Sequence, residues 1–136
     1  MKIFKCKTQK EFLDNVLVRG KVFIVEQEID WELEFDGLDD RCSLYIAYEG
    51  EEPVGAARLY KNKVGRVATL KEYRKKGVAT ALMKFIEIDA KTNGLKELKL
   101  NAQLYIADFY ENIGYVKQGD IFMEAEIEHI KMTKVL

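Results

Sequence analysis

The chain is poor in the residues that build metal sites, covalent cross-links and domain boundaries. Its 136 residues include two cysteines, one histidine and one proline. Cys6 and Cys42 lie far apart and form no C-x-x-C pair, so the sequence indicates neither a zinc site nor a disulfide framework. We therefore expect no metal, a cytoplasmic location, and a single domain over residues 1–136, because no repeat or proline-rich seam divides the chain.

Charge of one sign and long apolar runs are also missing. The 22 basic and 23 acidic side chains nearly cancel, whereas nucleic-acid-binding domains usually carry a clear basic excess. No apolar run approaches the length of a membrane span, and the first residues alternate lysine with apolar side chains, unlike the apolar block of a signal peptide. We expect a soluble protein with no nucleic-acid or membrane partner.

The most informative segment is the basic turn Arg74-Lys75-Lys76-Gly77-Val78-Ala79. Residues 64–70 before it are mostly aliphatic or β-branched, as in a strand, and after Gly77 the apolar residues recur at helical spacing. The first N–H groups of a helix lack internal partners and lie at the positive end of its dipole, so this arrangement favours a bound phosphate. The alternative is that the turn binds no ligand and that water solvates the start of the helix.

Hydrophobic periodicity predicts the element order β-α-β-β-β-α-β-α-β-β. A capping box at Thr8 and Glu11 begins the first helix, which we expect to weaken at Gly20. The side chains that this helix should bury are Phe12, Leu13, Val16 and Leu17, with Phe23 and Ile24 beyond them. Strands are predicted to about residue 7, at 43–48, 54–60, 64–70 and 95–100, from 115, and at 127–134; the later helices are predicted at 78–91 and 104–112. This order predicts an α/β fold with a mixed, mostly antiparallel central sheet flanked by helices.

The basic turn has the spelling of neither a Walker loop nor a dinucleotide-binding fingerprint. It matches R-x-x-G-x-G/A, the pyrophosphate signature of the GNAT superfamily of N-acetyltransferases, with Ala79 in place of the commoner glycine. Residues 108–115, spelled DFYENIGY, are similar to the F-Y-E-K-L-G-F element of the same family. Residues 22–27, 36–39, 101–103 and 127–132 resemble the ElaA-like branch, so the resemblance spans nearly the whole chain.

The resemblance implies acetyl-CoA as the co-substrate. The amides of the turn would hold its pyrophosphate, and the pantetheine arm would lie between two strands that splay apart. An N–H near Ala68 would polarise the thioester carbonyl. The implied cofactor contacts are Val67, Ala68, Thr69, Arg74, Lys75, Lys76, Gly77, Val78, Ala79, Thr80, Asn101, Gln103 and Phe109.

The resemblance also implies direct acetyl transfer to a primary amine of a small molecule or peptide, in a ternary complex. Tyr110 matches the position that protonates the leaving thiolate. Many relatives carry a carboxylate base on the strand before the turn, where this chain has Gly65 and Arg66. We favour Glu26 as the base, acting through water, with His129 second. Each residue also has a non-catalytic alternative: Tyr110 as an aromatic side chain of the core, Glu26 as a solvated surface residue, and His129 as a structural residue.

The segment 26–40 contains eight acidic residues and no basic one. If this segment forms an acidic rim around the acceptor site, it favours a cationic acceptor, since it would raise the local concentration of amines. The alternative is a solvated loop whose aromatic side chains cover the core.

The sequence is compatible with two other functions. A non-catalytic acyl-CoA-binding module would keep the basic turn and lack turnover. A cysteine hydrolase would use Cys6 or Cys42 with His129, although no nucleophile elbow is present. The sequence allows a monomer or a homodimer, and it does not identify the acceptor.

Overall fold

The computed structural model describes residues 1–136. The strands are β1 (Lys2–Lys5), β2 (Ser43–Glu49), β3 (Glu52–Tyr60), β4 (Lys63–Thr69), β5 (Glu97–Gln103), β6 (Val116–Glu124) and β7 (Ile127–Val135); the helices are α1 (Gln9–Arg19), α2 (Trp31–Glu34), α3 (Val78–Thr92) and α4 (Ala107–Asn112). All strands join one seven-stranded sheet in the order β1-β2-β3-β4-β5-β7-β6. Only β4 and β5 pair in parallel. The predicted α/β fold with its mostly antiparallel sheet is confirmed.

Each face of the sheet carries an apolar core. Helix α3 buries Val78, Leu82, Ile86 and Ala90 at helical spacing and packs on one face. Helix α1 packs on the other face, over β2, β3 and β4. No helix is long and apolar enough to cross a membrane.

Helix α1 turns a different side to the core from the one that its sequence predicts. The capping box at Thr8 is present. However, Phe12, Leu13 and Leu17 are 40%, 59% and 46% exposed. The prediction that these three side chains point inward was therefore wrong.

The buried face of α1 consists partly of polar side chains, whose hydrogen-bond partners are distant in sequence. Asn15 and Arg19 are fully buried, together with Val18. The amide of Asn15 donates to the carbonyl oxygens of Tyr45 and Ala57, at 2.9 and 3.1 Å. Because these bonds satisfy the buried amide, the helix can bury a partly polar face without the cost of an unpaired group.

The first helix does not end at Gly20. It continues as a π-helix over Gly20–Glu26, which we call the π segment. Phe23 is buried there, as predicted, and Ile24 is half-buried. π-helical turns are rare and often lie at functional sites. This one carries Glu26 and the following residue, Gln27, toward β4 and β5.

Strand β3 and helix α3 approach each other closely at Gly55. A Cβ atom at Gly55 would lie 2.5 Å from Cγ1 of Val78 and 3.0 Å from Cδ1 of Leu82. The missing side chain therefore lets the first turn of α3 lie directly on β3, which fixes the position of that turn relative to the sheet.

Candidate active site

Strands β4 and β5 form a gap at the centre of the sheet. They pair only at Lys63 with Lys99 and at Val64 with Leu100. Beyond these pairs, the register of β4 shifts against β3, and Arg66 adopts a φ of 54°. Such a bulge bends a strand away from its neighbour. The resulting gap separates residues 67–69 of β4 from residues 101–103 of β5, the two segments between which the family resemblance implies the pantetheine arm.

The basic turn leads from β4 into α3 with an open helix start. Gly77 has a φ of 85°, a left-handed conformation that a residue with a Cβ atom adopts only under strain. No side chain caps the first turn of α3, which contains Val78, Ala79 and Thr80. Its amide N–H groups can therefore bind an anion. Lys75 also has a positive φ, 62°, and alternating left- and right-handed residues orient successive N–H groups toward one point.

Arg74 does not extend into the open turn. Its Nε donates to the carbonyl oxygen of Thr69 at 3.0 Å, and its Nη1 and Nη2 donate to the two carboxylate oxygens of Glu26, the first at 2.6 Å. Hydrogen bonding from Arg74 lowers the pKa of Glu26. Glu26 is therefore ionised at neutral pH, and it is a weaker base than an unpaired glutamate.

Gln27 contacts the opposite side of the gap. Its side-chain amide pairs reciprocally with that of Gln103, at 3.0 and 3.3 Å, and lies 3.4 Å from the hydroxyl of Tyr105. The consecutive residues Glu26 and Gln27 thus connect the end of the π segment to both sides of the gap. The sequence did not predict this bridge, since its partners are distant along the chain.

Tyr110 offers an unpaired hydroxyl in a buried setting. Its side chain is 5% exposed and packs edge-on against Phe109 at 5.0 Å. No hydrogen bond joins the Tyr110 hydroxyl to another group of the protein. Burial raises the pKa of Tyr110 above its usual range. The phenol therefore stays protonated at neutral pH, but the raised pKa also makes it a weaker acid, and its role as proton donor stays a prediction.

His129 lies opposite Gln103 in the pairing of β5 with β7. Its Nδ1 is 2.7 Å from the carbonyl oxygen of Ile127, so Nδ1 carries the proton and donates there. Its Nε2 is 3.5 Å from Glu124, and its ring stacks on Phe122. These contacts within the β6–β7 hairpin hold the ring in place, and a role for His129 as a base stays a prediction.

Half of the eight acidic residues in segment 26–40 form ion pairs with arginines elsewhere in the chain. Arg19, Arg58 and Arg66 bind Glu34, Asp36 and Asp39, and we call these six residues the arginine cluster. The contacts are Arg19 to Glu34 at 2.8 Å and to Asp39 at 3.0 Å, Arg58 to Asp36 at 2.7 Å and to Asp39 at 2.9 Å, and Arg66 to Glu34 at 3.2 Å and to Asp36 at 3.3 Å. Bonding to Arg58 lowers the pKa of Asp36 well below its usual range.

The apolar side chains between these acids do not all cover the core. Trp31 and Leu33 are 61% and 57% exposed. The expected acidic rim is therefore smaller than the sequence suggests, and apolar side chains are interspersed with it.

Comparison with known proteins identifies the family. The family model of the acetyltransferase (GNAT) domain matches residues 13–136. The chain belongs to the GNAT acetyltransferases. It is 35% identical to the uncharacterized N-acetyltransferase YjcF of Bacillus subtilis, over 98% of this chain and 99% of that protein. The resemblance drawn from the sequence motifs is confirmed, and the protein is an acyl-CoA-dependent acetyltransferase.

Solved structures agree on the fold. Escherichia coli ElaA superposes with a TM-score of 0.83 at 22% identity, over 98% of this chain and 99% of that chain. An aminoglycoside 6′-N-acetyltransferase, solved in complex with coenzyme A, superposes with a TM-score of 0.76 at 16% identity, over 99% of this chain and 97% of that chain.

This GNAT acetyltransferase departs from the common family pattern on β4. Where many members carry a carboxylate base, Arg66 donates instead to the backbone oxygens of Leu33 and Glu34, at 3.0 to 3.2 Å. The position thus binds the acidic segment to the sheet. Strand β4 therefore carries no carboxylate that can serve as a base.

The two thiols lack the features of an activated nucleophile. Burial raises the pKa of Cys6 to about 12 and also raises the pKa of Cys42. Both thiols are therefore protonated at neutral pH, whereas a catalytic cysteine needs its thiolate. This disfavours the cysteine hydrolase.

Proposed function

We propose that the protein transfers the acetyl group of acetyl-CoA to a primary amine of a small molecule or peptide, by direct attack in a ternary complex. The gap between β4 and β5, with an uncapped basic helix start at its end, carries this proposal. An extended cofactor arm can pair with the free backbone of β4 there while the phosphates bind at α3.

Each part of acetyl-CoA has a candidate contact. Lys75, Lys76 and the amides of Gly77 to Thr80 would bind the pyrophosphate, and residues 67–69 with Asn101 and Gln103 would line the pantetheine arm. An open groove of 460 Å³ is lined by residues of α3 and of the end of α4, among them Thr80 and Asn112, and it would accommodate the nucleotide end. The coenzyme A bound to the aminoglycoside 6′-N-acetyltransferase supports this choice of cofactor.

In the reaction, the amine nitrogen attacks the thioester carbonyl carbon, and the carbonyl oxygen gains negative charge. An N–H near Ala68 would stabilise that charge. The C–S bond then breaks, and Tyr110 donates its proton to the departing thiolate. The amine proton passes to solvent through water, with Glu26 or His129 as the accepting base.

The role of Tyr110 is tested by the substitution Tyr110→Phe. We expect kcat to fall by on the order of 100-fold, because a general acid contributes about that much, while the Kd for acetyl-CoA stays within about twofold. Tyr115→Phe is the matched control, since that phenol is also buried but its hydroxyl bonds to Glu87 at 3.2 Å. Unchanged kcat in Tyr110→Phe would remove this residue from the mechanism.

The reaction itself is tested by free-thiol release from acetyl-CoA over a broad amine panel, after cofactor binding has been measured by thermal shift. Binding without turnover for every amine would indicate the non-catalytic module instead. No thermal response to coenzyme A would contradict the proposed cofactor.

The base is tested by the pH dependence of the rate in Glu26→Gln and in His129→Ala. Loss of the acidic limb of the pH–rate profile in one of these variants would assign the base to that residue.

A further inference from the structure

One half of a sheet face lies open beside the gap. The π segment and α1 pack on β2, β3 and β4, and α3 covers the opposite face. Leu98, Leu100 and Ala102 of β5 belong to the core under α3. Because side chains alternate along a strand, Lys99, Asn101 and Gln103 point to the α1 face. Helix α1 packs over β2, β3 and β4, and α4, which contacts β5 and β6, buries Ala107 and Tyr110 in the core under α3 on the opposite face.

Three lysines lie together on this open surface. Lys63 is the direct partner of Lys99 across β4 and β5, and Lys131 pairs with Asn101, two residues along β5. Val64 and Met132, their chain neighbours, belong to the core under α3, so Lys63 and Lys131 point to the same face as Lys99. We call these three residues the lysine floor.

The charge of the lysine floor is uncompensated. No ion pair joins Lys63, Lys99 or Lys131 to a carboxylate of the protein, and Glu124 on β6 lies against His129 instead. The arginines nearby are bound to carboxylates of the cluster. Like charges placed opposite each other on neighbouring strands repel. An anion bound between them would relieve that repulsion.

The lysine floor lies beside the gap in which the thioester is proposed to bind. Lys63 and Lys99 form the first of the two pairs that join β4 and β5, one residue before the last pair, Val64 with Leu100, and so they lie at the closed end of the gap. They lie on the face opposite to α3, whose N-terminus is the candidate phosphate site. A molecule resting on the floor would therefore reach the thioester from the side away from the bound nucleotide.

We infer that the acceptor carries an oxyanion, a carboxylate or a phosphate, in addition to its amine, and that Lys63, Lys99 and Lys131 bind this group while the amine enters the gap. This inference rests on the proposed acetyl transfer and narrows its acceptor class. It replaces the purely cationic acceptor that the acidic segment suggested.

Matched acceptors test the inference. A dipeptide with a free carboxylate and the same dipeptide as its C-terminal amide present the same amine, and aminoethyl phosphate and ethanolamine form a second pair. We expect kcat/KM at least about tenfold higher for the anionic member of one pair, which also separates carboxylate from phosphate. The preference should shrink in 1 M salt, where the screening length is about 3 Å. Equal kcat/KM within both pairs would overturn the inference.

Substitution of the lysines tests whether they cause the preference for the anionic acceptor. Lys99→Gln and Lys131→Gln should each raise KM for the anionic acceptor about fivefold or more, with kcat and the KM of the neutral acceptor unchanged. Lys117→Gln is the control, since Lys117 pairs with Met132, which faces the core under α3, and lies 3.5 Å from Glu111 of α4. Equal rises in KM for both acceptors would contradict a charge-specific role.

A binding measurement separates this inference from the proposed function. The N-acetylated dipeptide acid and its amide are titrated into the coenzyme A complex and followed by NMR. Tighter binding of the acid, weakened by Lys99→Gln, supports the inference even if every amine fails to turn over, which would contradict acetyl transfer alone. Equal binding of acid and amide would overturn it.

Discussion

The arginine cluster and the basic turn use positive charge in opposite ways. Every guanidinium of the cluster binds carboxylates of the protein itself, whereas Lys75 and Lys76 precede an uncapped helix start. Of the eight acidic residues in segment 26–40, the ones bound to arginine are Glu26, Glu34, Asp36 and Asp39. The charge count of a segment thus says little about the charge that it offers to a ligand.

The largest effect should come from breaking the cluster with Arg19→Met. Arg19 and Glu34 are 0% and 3% exposed, and removing one partner of a buried pair leaves an uncompensated charge that costs about 3–5 kcal/mol. We expect a loss of this order in the free energy of unfolding, measured by urea denaturation. Arg41→Met, at an exposed position, should stay within about 0.5 kcal/mol. Equal losses in both variants would mean that the cluster does not stabilise the fold.

A smaller effect, on binding alone, should follow the double substitution of Lys75 and Lys76 by Gln. We expect the Kd for coenzyme A to rise roughly tenfold, about 1.4 kcal/mol, and to depend less on salt, because two charges near the pyrophosphate are lost. Calorimetric titration measures both. Substituting Lys2 and Lys7 by Gln changes the net charge equally at exposed positions remote in sequence from the turn. An equal rise in Kd there would show that net charge, and not the turn, attracts the cofactor.

The smallest effect, on the free energy of unfolding, should come from Glu26→Gln. Glu26 belongs to the acidic segment and binds Arg74 of the basic turn. Arg74 lowers the pKa of Glu26 from 4.5, so the ion pair stabilises the fold above that pH and is lost as pH falls through the folded-state pKa. Both side chains are more than a third exposed, which limits the contribution to below about 1 kcal/mol. Urea denaturation between pH 7 and pH 3 should show a small difference from the native protein that shrinks as the pH falls. A difference as large at pH 3 as at pH 7 would contradict the pairing.

The fold was predictable where local signals determine it. Alternating residues, the capping box at Thr8 and the helical spacing after Gly77 gave the element order, and short motifs indicated the turn and Tyr110. The buried face of α1 was not predictable, because Arg19 is stable inside only through Glu34 and Asp39. Likewise, the amides of Gln27 and Gln103 meet across 76 positions of sequence, and no local pattern marks such a pair.

Gly55 has a consequence beyond packing. The atoms that a side chain there would press against belong to Val78 and Leu82, the first of which opens α3. One added carbon on β3 would therefore shift the amides that face a bound phosphate. Position 55 belongs in effect to the ligand site although its own atoms lie outside it. A mutational screen for altered cofactor affinity that varies only the residues lining the gap would overlook it.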